Sequence, residues 1–177
     1  ALLPVLGIHV AYVLADDAGH VPLCFPYWDS CTSISRVGRQ SPGSYVFRAT
    51  VIPTAVFMMV YWRFSFEWLQ TLGGQGSNAD LLMLILGLVA SLGLILYATV
   101  LGSIGPKFYL QRRVGVTNFY ICTFVAQFIM TGQLRTLEPS RSTTLLTGIC
   151  VTVAVLGLIS LGLWAFYDRH DRVDDAF

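Results

Sequence analysis

Charged side chains are scarce in this sequence. They make up 12% of its 177 residues, against about 25% in soluble domains. The net charge is only +1 and no run of basic residues occurs, so nothing points to a nucleic-acid partner. Hydrophobic residues instead account for 55% of the chain. This composition predicts an all-α integral membrane bundle that crosses the bilayer several times.

Motifs that hold metals or cofactors are also missing. The three histidines are far apart in the sequence, and no Cys-x-x-Cys pair occurs. Neither a phosphate-binding Walker loop, a Gly-x-Ser-x-Gly elbow nor a dinucleotide-binding glycine pattern is present. The sequence therefore predicts no cofactor and no metal.

The four cysteines fall into two groups. Cys122 and Cys150 lie within apolar segments, where a cysteine usually packs as a small hydrophobic residue. Cys24 and Cys31 share a polar loop and could form a disulfide if that loop faces an oxidising compartment. Spacing alone does not show whether their geometry permits a bridge.

The hydropathy pattern predicts one transmembrane domain over residues 1–177 with five spans. A polar loop at 16–44 separates the first two spans and is too long for a simple hairpin, so we expect it to fold against the mouth of the bundle. The pattern also places Lys107, Arg112 and Arg113 in a short connection before the fourth span. The predicted spans cover approximately residues 1–15, 45–62, 81–101, 114–131 and 144–166.

Two features inside the spans predict specific contacts. His9 is a lone histidine within apolar sequence, which makes it either a functional group or, as we favour, a partner for a neighbouring helix or a backbone carbonyl. Gly87 and Ser91 are four residues apart, a spacing of small residues that lets another helix approach closely.

Six basic residues indicate a cationic rim at the level of the lipid headgroups. Arginine binds phosphate through a planar fork, so a lipid phosphate is a reasonable ligand and anionic phospholipids are the expected partners. The alternative is that these residues pair with Asp29 and the aspartates of the tail, and both arrangements remain open. The six residues are Arg36, Arg39, Arg48, Lys107, Arg112 and Arg113.

Catalytic candidates are weak. His20 and Asp29 lie in the polar loop and could handle protons. His170 and Asp175 have the H-x-x-x-x-D spacing of glycerolipid acyltransferases, in which a histidine acts as general base toward a lipid hydroxyl. A solvated linker explains the latter spacing better, because it occurs in the charged run DRHDRVDD.

The distribution of charge leaves the membrane orientation open. The side of the membrane that carries the 16–44 loop holds eight of the eleven basic residues, which the positive-inside rule would place in the cytoplasm. The same side holds seven of the ten acidic residues. Much of this charge therefore fits folded polar structure equally well.

Several short motifs in order resemble the FRAG/DRAM/SFK family of membrane proteins. That family includes damage-regulated autophagy modulators, yeast SFK proteins and a Golgi factor that remodels the lipid of GPI anchors. The run Tyr45-Val46-Phe47-Arg48, the later Tyr61-Trp62 pair and the tail from Tyr167 to Asp171 are most similar to the GPI-lipid-remodelling branch. The other matching motifs are Gly19-His20, Pro26-Tyr27, Ser33-Ile34-Ser35, Gly38 and Pro42.

The resemblance implies six helices, so a sixth would follow Phe177, and both ends of the chain suggest a longer native protein. The cationic rim, without a credible catalytic set, favours a non-catalytic membrane protein that interacts with lipids and regulates or accompanies them or a membrane complex. One alternative is a lipid-remodelling enzyme of the acyl-transfer type, or its essential subunit. Another is an accessory subunit bound to a membrane-protein partner in a larger assembly.

Overall fold

The computed structural model describes residues 2–29, 31–73, 77–103 and 106–174, with side chains outside the description at 26, 29, 34, 35, 106 and from 160 onward. Five long helices and two single-turn helices make up this part of the chain. The long helices are α1 (Leu2–Asp17), α4 (Gly43–Thr71), α5 (Asn78–Val100), α6 (Pro106–Leu137) and α7 (Arg141–Asp174), and the short ones are α2 (Pro26–Asp29) and α3 (Ile34–Val37).

Four of the long helices are long and apolar enough to cross a membrane. They are α4, α5, α6 from Lys107 onward and the Arg141–Ile159 part of α7. The described part of α1 has 16 residues, about 24 Å of helix, and packs along α4. The prediction of an all-α helical membrane bundle is confirmed.

Helix α6 contains a charge-free stretch that is long enough to cross a bilayer. Between Arg113 and Arg135 the helix carries no charged residue, and 21 residues at about 1.5 Å each match a hydrocarbon core of about 30 Å. The helix extends beyond both arginines. Residues Lys107, Arg112 and Arg113 therefore lie on the first turns of α6, and their predicted placement in a loop was wrong. The helix begins at Pro106, because proline suits the first helical position. The basic residues that follow Pro106 are therefore helical although they lie outside the charge-free stretch.

Each long helix packs mainly against the next one along the chain. Helices α5 and α6 form the most extensive pair, followed by α4 with α5 and α1 with α4. The main apolar core fills the space between α4, α5 and α6, with Trp62, Leu69, Met83 and Met130 among its buried members. Among the described residues, helix α7 packs closely against α6 alone. Large apolar side chains along its described length are exposed, as expected for a helix that faces lipid.

Gly87 allows α4 and α5 to approach closely. A Cβ at this position would overlap the indole of Trp62, whose side chain is fully buried. One turn later, Ser91 is also buried and donates a hydrogen bond to the carbonyl of Gly87 over 2.8 Å. The small-residue spacing thus has the packing role that the sequence predicted.

Candidate functional site

The connection between α1 and α4, residues 18–42, folds over one end of the bundle and is called the cap below. Its buried residues Val21 and Val37 pack against Ala11 and Ala15 of α1. Gly43 follows directly, and a Cβ there would lie 2.7 Å from the carbonyl oxygen of Val37 and 3.0 Å from that of Ala11. The cap is therefore packed against α1 and the start of α4, and only glycine fits at the junction.

The cap also contacts the turn between α5 and α6. Gly102 in that turn has φ +91°, and a Cβ there would overlap the carbonyl of Arg39. A Cβ at Gly38 would lie 2.8 Å from Leu101 and 2.9 Å from Phe47. Within the cap, the ring Nε2–H of His20 donates to the carbonyl of Ser41 over 2.9 Å and so joins the two ends of the cap. The contacts at Gly38 and Arg39 hold the cap on the bundle.

A disulfide closes a small loop inside the cap. Cys24 and Cys31 are bonded, with their Cα atoms 6.6 Å apart. The N–H of Cys24 donates to the Tyr12 hydroxyl over 2.9 Å, and that hydroxyl donates to the Cys24 carbonyl over 2.8 Å. Tyr12 therefore joins the disulfide loop to α1. The remaining cysteines, Cys122 and Cys150, are free.

Three of the six basic residues of the predicted rim converge on the last turn of α5. Arg48 of α4 donates from Nη2 to the carbonyl of Leu101 over 2.7 Å. The backbone of Arg39 in the cap contacts Gly102, just after Leu101, and Arg112 of α6 lies three residues before Gly115, where a Cβ would lie 3.0 Å from the Tyr97 nitrogen. Both arginines interact electrostatically with Tyr97. Arg39, Arg48 and Arg112 come from separate elements and are called the arginine cluster below. Arg36, Lys107 and Arg113 are exposed, and no described contact joins them to this cluster.

The arginine cluster has no carboxylate partner among the described side chains, where the only ion pair joins Arg63 to Glu67 over 2.8 Å. Within the same part of the chain, the buried Nε of Arg48 also lacks a hydrogen-bond acceptor. Pairing with Asp29 or with the tail aspartates involves side chains outside the described residues and stays a hypothesis. The cluster thus presents positive charge at the capped end of the bundle.

These features of the bundle can be compared with known protein families. A family model described as the Frag1/DRAM/Sfk1/Cwh43P N-terminal domain matches residues 1–176. The chain belongs to this family. Together with its four apolar helices, membership makes it a multi-pass integral membrane protein. No curated protein and no solved structure matches the chain.

The catalytic candidates of this Frag1/DRAM/Sfk1/Cwh43P domain do not form a set in the described residues. His20 bonds a backbone carbonyl rather than a carboxylate. Asp29 and His170 lie on helices α2 and α7, but their side chains, like all of Asp175, lie outside the described residues. No group of histidine, cysteine and acidic side chains that could hold a metal occurs in the described ranges.

Sequence reasoning missed two contacts of the cap with α1. Tyr12 was not singled out, although its position inside an apolar span is a signal that its hydroxyl needs a partner. His9 has a partner that is distant in sequence. Its Nδ1–H donates to the carbonyl of Val5 over 2.7 Å, which leaves Nε2 to accept from the Tyr27 hydroxyl over 3.1 Å. His9 therefore holds part of the cap against α1.

Asp80 is the other residue whose surroundings the sequence did not reveal. The run Ser77-Asn78-Ala79-Asp80 indicates a helix cap, and Ser77 does accept from the N–H of Ala79 over 3.2 Å. The side chain of Asp80, however, is only 1% exposed, and neither carboxylate oxygen has a hydrogen-bond partner in the described structure. It lies at the first turn of α5, at the opposite end of the bundle from the arginine cluster.

Proposed function

We propose that this protein binds the phosphate of an anionic lipid headgroup at the arginine cluster, without catalysing lipid turnover. The observation that carries the proposal is the convergence of Arg39, Arg48 and Arg112 on one helix end with no described carboxylate to neutralise them. A binding site made from three separate elements needs a fixed tertiary arrangement, and the packed cap provides it.

The members of the cluster have different parts in this proposal. Arg48 already donates to the Leu101 carbonyl, so it mainly stabilises the carboxyl end of α5 and adds positive charge. Arg39 is exposed and Arg112 is half-buried, and both guanidinium groups present planar donors that match phosphate oxygens. Arg36, Lys107 and Arg113 would add attraction for the anionic surface without fixed contacts.

The disulfide supports an assignment of orientation. Disulfides persist in oxidising compartments and are rare in the cytosol, so the Cys24–Cys31 bond favours a cap that faces the lumen or the exterior. In that orientation the basic residues near the cap do not follow the positive-inside rule. They are instead part of a folded site. A membrane-impermeant reductant is added to the cytoplasmic side of the intact membrane. Reduction of the Cys24–Cys31 bond from that side would contradict this orientation.

A lipid-remodelling enzyme is the second candidate, because the YVFR run and the tail resemble the GPI-lipid-remodelling branch of the family. In that case His20 or His170 would transfer protons. His20→Ala and His170→Ala variants that both retain full lipid turnover would remove this candidate. The accessory-subunit hypothesis requires a protein partner in place of lipid on an apolar face such as that of α7, and a stable monomer after mild extraction would count against it.

The proposed function is tested by measuring lipid affinity. Fluorescently labelled phosphatidic acid and phosphatidylcholine are titrated into the purified full-length protein in detergent. The Arg39→Gln/Arg112→Gln variant should bind phosphatidic acid at least about tenfold more weakly, since each charge-assisted hydrogen bond contributes about 1.5–3 kcal/mol. Arg135→Gln is the matched control, because Arg135 is exposed at the opposite end of α6. Equal affinity of the double variant and the control would overturn the proposal.

A further inference from the structure

Residues 22–29 of the cap form a short segment rich in exposed apolar side chains, called the aromatic finger below. It does not pack into the core, although its composition is that of a buried segment. Its large apolar side chains are Leu23 (82% exposed), Phe25 (63%), Tyr27 (67%) and Trp28 (86%). Exposed apolar residues in one contiguous group mark a surface that meets another apolar phase.

The position of the aromatic finger around α1 is fixed by two side chains of that helix. Tyr12 bonds the backbone at Cys24, and His9 accepts a hydrogen bond from Tyr27. Helix α1 packs on α4 through Gly7, Ala11 and Ala15, its buried residues. His9 is two residues before Ala11 and therefore about 160° around the helix from it. The finger thus lies on the outer flank of α1, away from α4.

The depth of the aromatic finger follows from the same contact. Ile8, the residue before His9, packs against the cluster that contains Phe47 and Leu101, and Arg48 bonds the carbonyl of Leu101. A guanidinium group is costly in the acyl chains and favours the level of the headgroups. A residue bonded to His9 therefore lies near the depth of Arg48, at the headgroup side of the bilayer.

We propose that the aromatic finger is inserted into the bilayer beside α1, with Trp28 and Tyr27 at the boundary between the headgroups and the acyl chains. Tryptophan and tyrosine favour this boundary because their rings are apolar and their polar atoms still reach water or headgroups. The Cys24–Cys31 bond and the hydrogen bonds to α1 hold the segment in place, so little conformational entropy is lost when it meets lipid. The ligand of this surface is the lipid bilayer itself, and the inference does not depend on headgroup binding at the arginine cluster.

Tryptophan quenching tests the insertion directly. Full-length protein and its Trp28→Phe variant are placed in nanodiscs of phosphatidylcholine brominated either near the headgroup or deep in the chains, and the difference between the two proteins isolates the emission of Trp28. We expect shallow bromine to remove most of that emission, deep bromine to remove less, and aqueous iodide to have little effect. Trp28 is highly exposed in the structure, so its replacement leaves the fold intact.

Two further variants sharpen the test. Tyr27→Phe removes the hydroxyl that bonds His9, and we expect it to increase the quenching of Trp28 by iodide. Trp68→Phe is the control, because Trp68 is an exposed tryptophan near the far end of α4 and its loss should leave the Trp28 signal unchanged. Quenching of Trp28 by iodide and not by bromolipid would place the finger in water. Protection from both quenchers would mean that protein covers it, and either result would overturn the proposal.

Discussion

Replacing Gly87 by alanine should destabilise the bundle through a single methyl group. The new Cβ would overlap the indole atoms nearest the backbone of Trp62, and that side chain is fully buried and cannot move aside. Overpacking of this kind costs about 1–3 kcal/mol. Because about 1 kcal/mol corresponds to about 2–4 °C in a chain of this size, we expect Gly87→Ala to lower the midpoint of thermal unfolding by several degrees.

Gly132 supplies the matched control for this prediction. It is also a helical glycine, in α6, but a Cβ there would meet no atom within 4 Å. Alanine has a higher helix propensity than glycine, so Gly132→Ala should leave the unfolding midpoint unchanged or raise it slightly. Both variants are compared by thermal unfolding in detergent, followed by intrinsic fluorescence.

A double-variant cycle identifies the cause of the loss. In a Trp62→Ala background the indole is gone, and Gly87→Ala should then cost little, which gives a coupling energy of about 1 kcal/mol or more between the two sites. If Gly87→Ala is as stable as the Gly132→Ala control, or costs the same with and without Trp62, the close approach of α4 and α5 at this point is refuted.

Three further predictions concern the cap. Gly102→Ala should loosen it, because alanine tolerates φ +91° poorly and its Cβ would overlap Arg39; limited proteolysis should cut the cap faster than in the Gly132→Ala control. Tyr12→Phe leaves the N–H and carbonyl of Cys24 without their partner, so the unfolding free energy should fall by about 1–3 kcal/mol, and an unchanged value would contradict the contact. Reducing the Cys24–Cys31 bond should cost about 2–3 kcal/mol, and a Cys24→Ser/Cys31→Ser variant should show no response to reductant.

The sequence predicted the bundle well because a bilayer imposes strong constraints. A helix that crosses lipid must satisfy its own backbone groups and expose apolar side chains over about 20 residues. The same constraint ends at the headgroups, so the sequence did not show that α6 continues outward to Pro106 or that α4 continues to Thr71. Beyond the bilayer, helix ends depend on capping and on tertiary contacts.

The site was predictable only as a set of residues at one membrane face. Arginines near span ends indicate a rim, but which of them converge depends on how the cap packs on Gly38, Gly43 and Gly102. The contact of His9 with Tyr27 joins a helix to a loop 18 residues away, and no local pattern reveals it. Asp80 was hidden for the opposite reason, since its local sequence suggests a solvated helix cap while packing buries it.

The most direct test of the account is native mass spectrometry of the full-length protein released gently from its own membrane, compared with its Arg39→Gln/Arg112→Gln variant. We expect the wild-type protein to retain an anionic phospholipid and the variant to lose it, because the two arginines have no described carboxylate partner. Wild-type protein that carries no anionic lipid, or the same lipid retained by both proteins, would contradict headgroup binding at the arginine cluster.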